Sequence, residues 1–296
     1  MTAADGRAAQ ADQLAAVARA VEPIAELAAR GIEVLLTHGN GPQVGNLLVK
    51  NELSAAVVPP VSLDWCGAQT QGTIGFILVN ALEAALGARG VQRRVAAVVT
   101  RTLVDAADPG FTRPTKPIGR YLPEDDTKVL VEHGQVWEDR GPRGWRRVVA
   151  SPEPLEILDA PAVSALAAAG FIVVANGGGG IPVVRDVEGR LHGVEAVIDK
   201  DLGAALLART VTADLLVIAT DVEAVMLDYG TSRERPIGDT TTSELRSLAF
   251  ASGSMGPKVD AACRFVEAGG ARSVITSLDR IAAAVDGSAG TQVRKD

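Results

Sequence analysis

Two glycine-rich segments each follow directly on a short apolar run. His38-Gly39-Asn40-Gly41-Pro42-Gln43-Val44-Gly45 follows residues 32–36 (IEVLL), and Asn176-Gly177-Gly178-Gly179-Gly180-Ile181-Pro182 follows residues 171–175 (FIVVA). Glycines at the carboxyl end of a strand let backbone N–H groups approach an anion, and a following helix N-terminus adds positive potential. Four successive glycines cost much backbone entropy, which a merely structural turn does not repay. A dinucleotide-binding turn would need its glycines to open a helix. Pro182-Val183-Val184 and a polar turn at Glu188-Gly189 predict a hairpin there instead.

Two lysines stand near helix starts, Lys200 in Asp199-Lys200-Asp201 and Lys258 in Gly253-Ser254-Met255-Gly256-Pro257-Lys258. A cation at that end opposes the helix dipole, and a lysine that meets phosphate makes sense of it. Asp201 also reads as an ordinary cap, and Lys258 as a solvated lysine. Asp221, in Thr220-Asp221-Val222-Glu223, ends a strand and fits a nucleotide contact, a metal-bound water or a turn cap equally. Together these residues point to phosphoryl transfer, which needs positioning and charge neutralisation more than a nucleophilic side chain. His38, His133 and His192 show no metal-ligand spacing, and no G-x-S-x-G motif occurs.

The elements that must position these residues alternate. Leu14, Val17, Val21, Ile24 and Leu27 recur at helical spacing, and Gly31 can end that helix. Helices over 162–169, 202–208 and 258–268 are each followed by a short apolar strand, at 171–175, 216–220 and 273–276. Such alternation predicts a mostly parallel sheet covered on both faces. Residues 105–150, rich in Pro, Gly and charge, break the pattern and read as a small excursion from the sheet.

Composition narrows the class. The chain has 296 residues, 47% hydrophobic, 22% charged and only 3% aromatic, so Ala, Val, Leu and Ile build the core. A net charge of -7 argues against a nucleic-acid platform. Cys66 and Cys263 are too few and too far apart for a disulfide framework. The first twenty residues lack a secretory signal pattern, and no uninterrupted apolar run approaches the roughly 20 residues of a membrane helix, so a cytoplasmic protein is expected.

Taken in order, the segments LTHGNGPQVGNLL (36–48), DWCGAQTQGTIGF (64–76), DPGFTRPTKPIGRYL (108–122), ANGGGGIPVV (175–184), VIDKDLGAALLA (197–208), TDVEAV (220–225) and GSMGPKV (253–259) resemble the carbamate kinases of the amino-acid kinase superfamily. The run Pro114-Thr115-Lys116-Pro117-Ile118-Gly119 resembles part of a subdomain that sets carbamate kinases apart from their relatives. The resemblance implies a three-layer αβα sandwich on a mostly parallel open sheet. It implies an N-terminal lobe over 1–208 for carbamate or carbamoyl phosphate, with a protruding subdomain at about 105–150. A C-terminal lobe over 209–296 would take ATP or ADP with Mg2+. Gly39, Asn40 and Gly41 would contact the acceptor or the transferring phosphoryl group, and Asn176, Gly177 and Gly178 would line the same pocket. Lys116, Lys200 and Lys258 would neutralise phosphate oxygens, Asp201 would orient the lysines, and Asp221 would lie on the nucleotide side. Homodimers are common in the family.

The family also opens with a short apolar strand and a Gly-Gly-Asn turn, ahead of the segment that aligns with residues 1–19. That strand is expected to be missing from this sheet, leaving backbone groups unpaired beside the site. Either the true protein is longer, or this is a truncated homologue with weak or no kinase activity. A kinase for another small carboxylate is the remaining alternative.

Overall fold

The computed structural model describes residues 9–132, 134–250 and 255–296; His133, Gly253 and Ser254 lie outside the described residues. Helix α1 (Gln10–Ala29) buries Val17, Val21, Ile24 and Leu27 along one stripe, while Leu14 stays largely exposed. Gly31 turns the chain at φ +82° into β1, which is two residues long (Leu35–Leu36) rather than five. Helices α2 (Gly41–Ser54) and α3 (Leu63–Ala88) follow, then β2 (Val95–Ala97). After α5 (Ala160–Ala168), β8 (Ile172–Val174) lies parallel between β1 and β2 and is buried throughout. A strand covered on both faces is apolar at every position, as IVV is here.

A second strip has the order β10-β9-β3-β7. It comprises β3 (Arg101–Leu103), β7 (Glu156–Ile157), β9 (Ile181–Arg185) and β10 (Leu191–Gly193). β9 and β10 form the antiparallel hairpin that the sequence predicts after the four glycines. Between β3 and β7 stands the excursion. Its strands β4 (Lys116–Leu122), β5 (Val136–Asp139) and β6 (Trp145–Val149) make an antiparallel sheet of order β4-β6-β5, with α4 (Glu124–Glu132) alongside. The β4–β6 register shifts between Ile118 and Tyr121, where Gly119 has φ +66°.

The third strip follows α6 (Lys200–Thr210). Its order is β11-β15-β16-β14, from β11 (Leu215–Thr220), β14 (Asp239–Thr241), β15 (Arg272–Ser277) and β16 (Thr291–Arg294). A separate antiparallel pair, β12 (Met226–Leu227) and β13 (Arg235–Pro236), follows β11 in the chain. Helices α7 (Thr242–Arg246), α8 (Met255–Glu267) and α9 (Ile281–Val285) complete the chain.

The helices lie on both faces, giving a three-layer α/β sandwich. One core joins α1 (Val17, Ile24), α3 (Ile74, Leu82, Leu86) and Ile281 to Ile172 and Val174. The opposite face of β8 packs Val173 against Val163 and Leu207. Leu36 of β1 and Val217 of β11 pack against the first core. On the other side Leu35 packs against the second core, which includes Leu207 of α6, and Leu216 and Ile218 of β11 are buried with Ala204 and Ala208 of the same helix. Both strands therefore have the first core on one face and α6 on the other, yet among the described residues they do not pair. Among the described residues, β1 is bonded only to β8 and β11 only to β15. Among the described residues the hydrogen-bonded ladder is thus divided between β1 and β11. α3 is long and apolar enough to cross a membrane by length and composition, but Ile74, Leu78, Leu82 and Leu86 are buried in the protein core.

Candidate active site

Three helix N-termini converge on one cavity of about 420 Å³. It is lined by the first turn of α2 (Gly41 to Val44), by Lys200 and Asp201 opening α6, and by Pro257 and Lys258 opening α8. Each helix leaves unsatisfied N–H groups and positive potential at that end. Asn40, the N-cap of α2, makes no side-chain cap bond and no acid stands in the first turn, so that end stays available to an anion. Asn40 instead donates from Nδ2 to Thr70 Oγ1 on α3, 2.9 Å away.

The glycine run folds against this turn. A Cβ on Gly177 would lie 2.2 Å from His38 Nε2, and one on Gly178 would lie 2.2 Å from Asn40 Nδ2. Only glycine lets the two loops meet, and Gly178 N–H donates to the His38 carbonyl at 2.7 Å. Burial pushes the His38 imidazole below its ordinary pKa, favouring the neutral ring. Asn176 holds a left-handed φ of +53°. It is 1% exposed, and its Nδ2 has no hydrogen-bond partner. Unpaired burial and αL strain each cost about 1–3 kcal/mol, and such costs gather at functional sites.

The lysines meet in the same cavity. Lys116, at the start of β4, donates to Asp199 Oδ2 at 2.6 Å, and Lys116, Pro117 and Ile118 of the excursion's first strand line the cavity. Lys200 donates to Asp201 Oδ1 at 2.6 Å, and Lys258 to Asp201 Oδ2 at 3.1 Å. Three ammonium groups face two carboxylates, leaving one net positive charge before the helix ends are counted. Burial lowers the Lys200 pKa and the nearby Lys258 charge adds to that, against the raising effect of Asp201. For Asp199, burial pulls upward, but the Lys116 charge and hydrogen bond and the N–H groups of Asp201 and Leu202 outweigh it, so its pKa is lowered.

Among the described residues, no three His, Cys, Asp or Glu side chains gather to hold a metal. Asp199 and Asp201 already have every carboxylate oxygen engaged. The arrangement suits a polyanion that arrives with its own cation. Asp221 is not in this cavity. It accepts from Thr220 Oγ1 at the end of β11, beside a second cavity of about 310 Å³ lined by Val222, Ala224, Met226, Tyr229, Glu234 and Pro236.

The chain as a whole has counterparts among known proteins. Residues 4–277 match the model of the amino acid kinase family. The carbamate kinase of Thermococcus kodakarensis is 47% identical over 96% of this chain and 93% of its own length. That of Pyrococcus furiosus is 44% identical over 94% and 90%. The chain belongs to the carbamate kinases of the amino acid kinase family. Its fold matches the family member from Giardia lamblia bound to AMP-PNP, with a TM-score of 0.92 and 39% identity over 100% of this chain and 95% of that one. A protein from Aeropyrum pernix matches at TM-score 0.95 and 41% identity, over 100% and 96%.

Of the residues singled out in the sequence, Gly39, Asn40, Gly41, Lys116, Gly178, Lys200, Asp201 and Lys258 line the one cavity. Asn176 and Gly177 support its wall, and Asp221 stands apart. Residue reasoning did not find Gln71 on α3. Its Nε2 donates to the carbonyls of Thr100 (3.2 Å) and Gly177 (3.0 Å), and its Oε1 accepts from Thr100 N–H (2.8 Å). Nor did it find Asp199 as the partner of Lys116, or the second cavity.

Proposed function

We propose that this chain catalyses reversible phosphoryl transfer between ATP and carbamate, interconverting ADP plus carbamoyl phosphate with ATP plus carbamate. The observation behind this reading is the meeting of Lys116, Lys200 and Lys258 with three helix N-termini in one cavity, in a chain whose relatives are named carbamate kinases. In the ATP-forming direction, a β-phosphate oxygen of ADP attacks the phosphorus of carbamoyl phosphate. The bond from phosphorus to the carbamate oxygen breaks, and carbamate leaves with that electron pair. No protein nucleophile is required; the lysines offset charge that develops on the phosphoryl oxygens.

In this reading Gly39, Asn40 and Gly41 contact the acceptor or the phosphoryl group, and Asn176, Gly177 and Gly178 complete the pocket. Asp201 orients Lys200 and Lys258. The lobe of residues 1–208 binds carbamoyl phosphate and that of 209–296 the nucleotide, with Asp221 and the cavity beside Tyr229 on the nucleotide side. Mg2+ enters as part of the nucleotide substrate, held mainly by phosphate oxygens, as is usual for this ion. A homodimer in the cytoplasm completes the proposal.

The test is ATP formation from ADP and carbamoyl phosphate with Mg2+, alongside ATP consumption with carbamate, acetylglutamate or aspartate. Turnover with the carbamate pair alone is expected; turnover with another acceptor instead would transfer the assignment to a different small-carboxylate kinase. A second reading, a nucleotide-binding homologue with weak or no turnover, draws on the edge of β1 that has no strand partner among the described residues, on the strand that leads into the Gly39 turn. Folded protein that binds ADP without turning over would favour it.

A further inference from the structure

Asp199 serves two parts of the molecule at once. Its Oδ1 caps α6, accepting from the N–H groups of Asp201 at 2.9 Å and Leu202 at 3.3 Å. Its Oδ2 accepts from Lys116 of the excursion at 2.6 Å. The excursion's other ion pairs to the body, Arg120–Glu52 at 3.7 Å and Arg147–Glu195 at 4.0 Å, are looser and involve none of the cavity-lining residues. Apolar packing already seats the base of the excursion, because Ile118 and Val149 bury against Val44, Leu48 and Leu63. Docking the strand therefore does not need the Asp199 carboxylate; aiming a long, flexible lysine does. Lys200, Asp201 and Lys258 are the other charges lining the cavity, and they are engaged with one another.

We propose that Asp199 is a positioning residue for the phosphoryl transfer: its Oδ2 holds the Lys116 ammonium at the cavity before substrate arrives, and the phosphoryl oxygens then replace it as the lysine's partner. The proposal rests on the kinase reading above. It makes the resting ion pair a template for the working one, since a lysine already aimed loses less freedom when it meets phosphate.

Asp199→Asn isolates the effect, because asparagine caps a helix about as well as aspartate while lacking the charge. The variant is expected to lower kcat by about 10- to 100-fold, the scale of a misplaced catalytic group, with ADP affinity within about twofold. In a Lys116→Ala background the same substitution should change kcat by less than about twofold, because the residue it acts through is gone. Equal losses in both backgrounds would overturn the proposal. A readout independent of turnover is acetylation of Lys116 in ligand-free protein, followed by mass spectrometry with the exposed Lys50 as internal reference. The Asp199 carboxylate engages the Lys116 Nζ directly, so releasing that contact should make Lys116 label several-fold faster in Asp199→Asn. An unchanged ratio would also sink the idea. Absence of turnover in the unsubstituted protein would defeat the kinase reading and the catalytic role together, and labelling would still decide whether Asp199 holds Lys116.

Discussion

Asp201 holds two ammonium groups, one on each carboxylate oxygen, so Lys200 and Lys258 are kept side by side against their mutual repulsion. Lys116 approaches from another element and has its own counter-ion. Lys116→Ala should therefore lower kcat by about 100- to 1,000-fold, the loss typical of one charge-stabilising donor, while ADP binding measured by titration stays within about twofold. Unchanged turnover would remove this lysine from the mechanism. The lowered pKa of Lys200 sets a pH dependence. The ammonium is the form that neutralises phosphate, and it is lost as pH rises through a value below the ordinary lysine pKa of about 10.4. The alkaline limb of kcat/KM should accordingly begin early. Lys200→Arg, whose guanidinium stays charged, should be slower at neutral pH yet lose that limb; an identical alkaline limb in both would assign it elsewhere.

Elements meet at close quarters where α2 supports the excursion. A Cβ on Gly45 would come within 3.2 Å of Gly119 Cα, on the strand that carries Lys116. Gly45→Ala sets two effects against each other: alanine favours the helix interior by roughly 0.5–1 kcal/mol, while its methyl pushes β4 outward. The expected result is a melting temperature changed by only a few degrees with kcat reduced about tenfold, comparing steady-state rates with thermal denaturation. Full activity would mean that the contact has slack. Much of this arrangement was legible beforehand. Alternation of apolar runs and helical stripes gave the layers, the proline after four glycines gave the hairpin, and a cation at a helix start marked Lys200 and Lys258. What escaped depends on partners distant in sequence. Gln71 reads as an ordinary polar helix residue until Thr100 and Gly177 are folded against it, and Asp199 reads only as a cap until β4 arrives. β1 shrank to two residues because a strand is defined by its neighbours, and one side of this strand has none among the described residues.

At the scale of the whole molecule, the divided ladder should show in amide exchange. Val173 of β8 and Ile275 of β15 sit on strands paired on both sides, whereas Leu36 and Val217 sit on strands that pair on one side only among the described residues. Exchange at Leu36 and Val217 should be at least about tenfold faster under native conditions, as expected where fewer interactions restrain opening; equal protection would show that the open edges are covered in solution. The longest helix has another consequence. α3 spans 26 residues and packs against Ile172, Val174 and Ile281, all far downstream. During synthesis, at roughly 5–20 residues per second, this oily segment leaves the ribosome many seconds before the partners that will cover it. Its greatest exposure to chaperones and to the protein-export machinery therefore comes in the nascent chain, before there is any finished enzyme to protect.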